Sequence, residues 1–268
     1  MMTSRVLLLG DGVVARDLDR ELSSADCLVT SWVTDELPAG RMGSGLSQVI
    51  ELMQTVEMRQ FDVVMISSTS ARELVREIVR EVERRMGAEA LLLASAMSLS
   101  ATEIASWCAR PERVVCFGFV PPLDGVAAVE LARGRQTGDL ALGRAMSFWS
   151  STLRREAVCV KDSAGLVMPR VVAMIVNEAA FALMEGIATK AEIDTAMKLG
   201  TNYPFGPLEW ADQIGVGQVV ATLQGVYAEQ GEDRYRPAPL LLKMRLANDR
   251  FYRSEEGADD ADARGGHY

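Results

Sequence analysis

The stretch VLLLGDGVVARDL, residues 6–18, opens with four apolar residues and continues into two closely spaced glycines. Gly10, Gly12 and Ala15 form a G-x-G-x-x-A arrangement between a candidate buried strand and a candidate helix. In this arrangement the first glycine makes a tight turn, the second lets the backbone approach a diphosphate, and the small third residue packs the helix closely. The N-terminus of the helix then faces the negative charge. The stretch predicts a dinucleotide-binding turn, with a similar turn that binds nothing as the alternative.

Short apolar runs recur after this stretch and alternate with amphipathic segments, as in βαβ units. The strand candidates are Val6 to Leu9, Cys27 to Val33, Val63 to Ile66, Ala90 to Ala94 and Val114 to Phe117. The clearest helix is Ala71 to Met86, whose apolar residues recur four apart on one face. The pattern predicts the α/β class, with a doubly wound, Rossmann-type domain over residues 1–160.

Every segment after residue 160 has helical spacing. The run from Val167 to Glu185 is apolar on nearly all sides, which predicts a helix that is buried all round or lies at a subunit interface. Thr189 with Glu192 marks the start of a further helix, and Gly206-Pro207 marks another. We therefore expect an all-helical domain over residues 161–257, followed by a disordered acidic tail over residues 258–268.

Composition limits the class of function. The chain of 268 residues has 28 basic and 37 acidic residues, and the formal net charge of −9 disfavours nucleic acid or an anionic membrane as a partner. No apolar run is long enough to span a bilayer, and no signal peptide is recognisable at the N-terminus. The cysteines are widely spaced and form no metal motif, which predicts free thiols, no metal site and a cytoplasmic location.

The chain contains one histidine, His267, one residue from the C-terminus. A reaction that needs an imidazole inside a folded site must take it from the predicted tail or proceed without it. This single residue therefore restricts the proton-transfer chemistry that the chain can perform.

The run AEIDTAMKLGTNYPFGPLEWADQIG, residues 191–215, closely resembles the C-terminal domain of the bacterial 3-hydroxyacyl-CoA dehydrogenases, including the 3-hydroxybutyryl-CoA dehydrogenases. The segments at residues 111–134 and 233–244 and the glycine-rich turn extend the resemblance over most of the chain. The resemblance implies an oxidoreductase of fatty acid metabolism with NAD as cofactor. It also implies a small-molecule substrate derived from an acyl-CoA, and a homodimer formed by the helical domain.

The family's reaction uses a histidine base that a glutamate orients, with a serine and an asparagine that polarise the substrate. By the resemblance, Gly118 stands at the position of the histidine and Pro169 at that of the asparagine. The orienting glutamate falls on Glu130, for which a charge on an edge strand is the alternative. The serine falls on Met97 without a gap and on Ser98 with one. The catalytic candidates are therefore Glu130 and Ser98.

The cofactor-binding candidates are Gly10, Gly12, Ala15 and Asp35. Asp35 follows the second strand slightly later than the acid that usually binds the ribose hydroxyls of NAD. No nearby arginine favours a 2′-phosphate, so we expect NAD and leave NADP open.

The connection between the second and third strands is shorter than the family's, which contains a helical hairpin that helps to hold CoA. Here Phe61 follows Asp35 by 26 positions, with room for one helix, Leu46 to Met58. Ser67 and Ser68 also replace an acidic residue that family members carry after the third strand. We therefore expect the usual CoA grip to be lost.

Three functions stay open from the sequence, and whether the chain is an enzyme stays open with them. The first is a nicotinamide-binding oxidoreductase of the 3-hydroxyacyl-CoA dehydrogenase type whose usual chemistry is lost or repurposed. The second is a non-catalytic pseudoenzyme that acts as a dimeric binding or regulatory protein. The third is the ordinary dehydrogenase with a substitute base. Lys198 lies beside the loop GTNYPFGP, residues 200–207, and is interpreted as a helix-surface residue instead of a catalytic one.

Overall fold

A mostly parallel sheet organises the first part of the chain in the computed structural model, which describes residues 3–34, 42–69 and 71–252. Within these residues the sheet has seven strands in the order β2-β1-β3-β4-β5-β6-β7. The strands are β1 (Ser4–Asp11), β2 (Cys27–Thr34), β3 (Val63–Ser67), β4 (Leu91–Ser95), β5 (Val114–Gly118), β6 (Ala128–Arg133) and β7 (Glu156–Val160). The pair β5·β6 is antiparallel and the other pairs are parallel.

Helices cover both faces of this sheet. They are α1 (Gly12–Ser24), α2 (Met42–Thr55), α3 (Arg72–Arg85), α4 (Ala101–Ala105) and α5 (Asp139–Ser147). Successive strand residues point to opposite faces, so Leu7 joins the apolar cluster that contains α3 while Leu8 joins the one that contains α1. Strands that are buried on both faces have continuous apolar sequences. The predicted doubly wound α/β class is confirmed.

The regular elements after β7 are all helices among the described residues. The helices are α6 (Met168–Met184), α7 (Lys190–Thr201), α8 (Pro207–Ile214), α9 (Val216–Gln230) and α10 (Pro239–Ala247). They share a third apolar cluster, which includes Val176, Trp210 and Val220. No helix among the described residues combines the length and apolar character needed to cross a bilayer.

Two alternatives that the sequence left open are wrong. Glu130 does not lie on an edge strand, because β6 pairs with β5 on one side and with β7 on the other. The helix α6 is not buried all round, since Met168 and Val171 are about half exposed, and its position at a subunit interface stays a prediction. Asp35, His267 and the predicted tail lie outside the described residues.

Candidate active site

The glycine turn at the end of β1 packs too tightly for any side chain at its first position. A Cβ on Gly10 would lie 2.3 Å from the carbonyl oxygen of Ser67 and 2.6 Å from the Cβ of Ala15. Gly12, which begins α1, has a φ of +76°, in the left-handed region that favours glycine. The turn therefore brings β1, β3 and the start of α1 together as a dinucleotide-binding turn requires.

The N-terminus of α1 has no side-chain cap, although Asp11 occupies the N-cap position. The Asp11 carboxylate instead accepts hydrogen bonds from the backbone N–H of Thr69 at 2.7 Å and from its hydroxyl at 2.5 Å, and also from the Ser68 hydroxyl. The buried carboxylate is therefore directed toward the loop after β3. The backbone N–H groups of the first turn are left for an anion such as a diphosphate, so the residues present fit NAD.

Apolar side chains pack beside Gly118, the residue to which the resemblance assigns the position of the base. Gly118 ends β5 and pairs with Glu130 of β6. A Cβ on Gly118 would lie 2.7 Å from Cδ1 of Leu166 and 3.6 Å from Cγ of Pro169. Leu166 is 3% exposed and has a φ of +48°, an unusual backbone conformation for leucine. The connection into α6 therefore closes over Gly118.

Glu130 binds the start of α6. One carboxylate oxygen accepts the backbone N–H of Val167 and the other accepts that of Met168, both at 2.8 Å. These donors have no partner within the helix, and a negative charge at a helix N-terminus is favourable. The glutamate that the resemblance assigns to orienting a base is therefore a helix cap that joins the sheet to the helical part.

We expect replacement of Glu130 with alanine to lower the free energy of unfolding by about 1–2 kcal/mol, the usual cost of losing a helix cap. Glutamine keeps one acceptor oxygen and should cost less. Urea unfolding of both variants measures this, with Glu156→Ala, an exposed glutamate on β7, as the control. Equal stabilities for Glu130→Ala and the control would contradict the capping role.

Ser98 lines a cavity of about 330 Å³ between the sheet and the C-terminal helices. Met97, the other candidate for the serine position, is 2% exposed and packs in the core. Neither Gly118 nor Glu130 lines this cavity. The two catalytic candidates are thus in different places: Ser98 faces the cavity and Glu130 caps α6.

The cavity also contains charged residues that sequence analysis did not assign to a site. Arg72, Glu103, Glu229 and Arg245 line it, from both parts of the chain. No motif in the sequence marks these four residues as a site; Glu103 donates its backbone N–H to the Ser100 hydroxyl at the start of α4. Lys198 is elsewhere: its Nζ donates to Glu209 Oε1 at 2.6 Å on the surface of the helical part.

The four cysteines are free, as predicted. Burial raises the pKa of Cys108 to about 12, raises that of Cys116, and together with Asp26 raises that of Cys27. Cys159 is exposed. Because the thiolate is the reactive form, we expect a disulfide reagent at pH 8 to label Cys159 first, with the other three reacting only on unfolding. Cys159→Ser should remove the fast phase, and a fast phase that survives this change would contradict the expectation.

Comparison with known proteins gives consistent matches for both parts of the chain. Residues 39–163 match the NAD-binding domain of 3-hydroxyacyl-CoA dehydrogenase, and residues 165–258 match its C-terminal domain. A 3-hydroxybutyryl-CoA dehydrogenase of Clostridioides difficile is 32% identical over 203 residues, which cover 76% of this chain and 72% of that protein. A probable 3-hydroxybutyryl-CoA dehydrogenase of Bacillus subtilis is 32% identical over 195 residues, covering 72% and 68%.

A solved structure agrees with this assignment. The crystal structure of (S)-3-hydroxybutyryl-CoA dehydrogenase from Ralstonia eutropha aligns with a TM-score of 0.66 at 27% sequence identity. The alignment covers 92% of this chain and 94% of that one. The predicted family and the predicted cofactor, NAD, are confirmed. The chain belongs to the 3-hydroxyacyl-CoA dehydrogenase family and has the family's NAD-binding oxidoreductase architecture.

Proposed function

We propose that this protein binds NAD but does not perform the family's oxidation of 3-hydroxyacyl-CoA. The observation that carries the proposal is the contact at Gly118, where the described atoms nearest to an added Cβ are carbons of Leu166 and Pro169. The oxidation needs a base that takes the hydroxyl proton, and such a base typically contributes 10²–10⁴-fold to the rate. The position that the resemblance assigns to that base holds a glycine, and a larger side chain there would have to displace the buried side chain of Leu166.

The dinucleotide part of the site supports retained binding. The backbone at Gly10 and Gly12 and the uncapped N-terminus of α1 would hold the diphosphate. When bound, NAD supplies a hydride acceptor. Ser98 would supply a hydroxyl at the cavity, and Asp35 remains the candidate for the ribose hydroxyls.

A non-catalytic pseudoenzyme is the second candidate function. The observation that favours it is the capping role of Glu130, because both of its carboxylate oxygens accept backbone N–H groups of the α6 start. A base in this position would have to give up these hydrogen bonds. A repurposed oxidoreductase would reduce NAD with some small hydroxyl compound, whereas a pseudoenzyme would bind NAD and reduce none.

Homodimer formation through the helical part belongs to this proposal. Val167, Met168 and Val171, at the start of α6, are 53%, 45% and 49% exposed, which is unusual for three apolar side chains so close together. A partner subunit would cover this face. Sedimentation velocity should show a dimer for the native chain and a monomer for Val171→Glu; a native monomer would contradict this part. We also expect a cytoplasmic location, from the four unpaired cysteines.

NADH fluorescence titration tests the proposal. We expect saturable binding to the native chain, and binding about tenfold weaker or worse for Gly12→Val, since each 1.4 kcal/mol of lost contact is a factor of ten. Gly125→Val is the control, because a Cβ at Gly125 meets no atom within 4 Å. The same preparation is then mixed with acetoacetyl-CoA, where we expect binding of NADH without its oxidation. No NADH binding at millimolar concentration would contradict the proposal.

A further inference from the structure

The cavity that contains Ser98 lies on the boundary between the two parts of the chain. The loops after β3 and β4 form one wall, and α9 and α10 form the other. Its volume of about 330 Å³ is at the lower end of the 300–1,000 Å³ typical of ligand sites. Its lining includes the polar side chains of Arg72, Ser98, Ser100, Glu103, Glu229 and Arg245.

The charged groups of the cavity are unequally paired. Arg72 Nε lies 2.5 Å from Glu103 Oε1, so these two charges offset each other. Glu229 accepts from the Ser163 hydroxyl at 2.7 Å and from the backbone N–H of Ala164 at 2.9 Å. Arg72 and Glu103 therefore form an ion pair, whereas Glu229 accepts hydrogen bonds from two neutral donors.

Arg245 is the cation of the cavity wall that has no carboxylate partner among the described residues. Its guanidinium donates to the neutral side-chain oxygen of Gln224 at 3.1 Å. That hydrogen bond uses Nη1, and the remaining N–H groups of the guanidinium have the planar geometry that matches a carboxylate. A guanidinium held in this way at a cavity wall can pair with an anionic group of a ligand.

The surrounding charges restrict that anion to one of low charge. Burial raises the pKa of Glu103 against the opposing effect of Arg72, and the nearby Glu229 raises it as well. Both carboxylates line the cavity. A CoA thioester carries several phosphate charges, and these carboxylates would repel them, whereas a single carboxylate can pair with Arg245. Among the described residues between β2 and β3, α2 is the one α-helix, which agrees with the expected loss of the helical hairpin that helps to hold CoA.

We propose that the cavity binds a small molecule with one carboxylate, such as a short hydroxy or oxo acid, through Arg245, with Ser98 and Ser100 available to its hydroxyl or oxo group. This proposal rests on the proposed function, because it takes the cavity as the substrate site of an NAD-binding protein. The ligand class that it names is a free acid, not an acyl-CoA thioester.

Ligand-observed saturation-transfer NMR on the full chain with NADH tests the proposal. The probes are 3-hydroxybutyrate and acetoacetate, with acetoacetamide as the uncharged match and acetoacetyl-CoA as the thioester. We expect the acids to bind and the amide to bind at least about tenfold more weakly, because a charged hydrogen bond is replaced by a neutral one. Arg245→Gln should weaken binding of the acids similarly, Arg245→Lys should weaken it less, and Arg80→Gln, an exposed arginine of α3, should not change it.

Each contrary result has a distinct meaning. If NADH binds and no acid does, or if acid and amide bind equally, the carboxylate site is wrong and the proposed function stands. If acetoacetyl-CoA binds more tightly than the free acids, the ligand is the thioester. If Arg245→Gln weakens NADH binding as much as acid binding, Arg245 belongs to the dinucleotide site. Failure of NADH to bind contradicts the proposed function. Acid binding is also measured on the NADH-free protein, so that the carboxylate site is tested separately from NADH binding.

Discussion

Replacement of Gly118 with histidine is expected to lower the free energy of unfolding by about 2–4 kcal/mol, because a larger, polar side chain enters a packed apolar contact. An added Cβ already lies 2.7 Å from Leu166 Cδ1, and the imidazole would extend further. Removing a glycine from a strand gains only about 0.5–1 kcal/mol. The clash therefore outweighs the gain, and histidine alone should not restore dehydrogenase activity.

A double-mutant cycle assigns this cost to the contact. Leu166→Ala alone should cost about 2–5 kcal/mol, but Gly118→His with Leu166→Ala should cost at least about 1 kcal/mol less than the sum. Gly125→His, where space is open, should stay within about 0.5 kcal/mol of the native chain. Urea unfolding measures all four variants. Additive effects, or a native-like stability for Gly118→His, would show that the position is not filled.

Replacement of Gly225 with alanine should have the second large effect. A Cβ on Gly225 of α9 would lie 2.0 Å from the carbonyl oxygen of Ser98 and 2.7 Å from its carbonyl carbon. These are backbone atoms of the loop between β4 and α4, so the whole helix or the whole loop must move. Alanine normally gains about 1 kcal/mol over glycine inside a helix. We expect a net loss of about 3 kcal/mol, the upper range for overpacking.

The matched control is Gly143→Ala in α5, where a Cβ would meet no atom within 4 Å. It should be neutral or more stable by about 0.5–1 kcal/mol, the ordinary helix propensity. Thermal and urea unfolding of both variants compare the two positions directly. If Gly225→Ala gains stability as Gly143→Ala does, the close approach of α9 to the β4 loop is not present in the protein.

The central strands could be predicted from the sequence because both of their faces are buried. Val6 to Leu9 and Val63 to Ile66 are unbroken apolar runs, and they lie within β1 and β3. The strands β6 and β7 have no such unbroken run and were not predicted. Their side chains alternate between partly exposed and buried or are mostly exposed, and charges at Glu130 and Arg133 interrupt the apolar pattern. Short, partly exposed strands of this kind have no strong sequence signal of their own.

The candidate site was only partly predictable. The glycine turn is local, so its residues and spacing define it within six positions. The hydrogen bonds from the start of α6 to Glu130 connect residues that are separated by 37 and 38 positions in the sequence. The positive φ of Leu166 has no sequence signal, because leucine rarely adopts it. The resemblance assigns the base position to Gly118, but only the fold shows which side chains lie beside it.

The rate of NADH oxidation by the native chain with acetoacetyl-CoA tests the central claim most directly. A working enzyme commonly turns over at about 1–10³ s⁻¹, and the loss of a base alone removes about 10²–10⁴-fold. We expect no turnover above about 10⁻² s⁻¹, with NADH binding intact in the same preparation. Turnover at about 1 s⁻¹ or faster would contradict the account, because it would require a proton acceptor at a site where Leu166 and Pro169 are packed against Gly118.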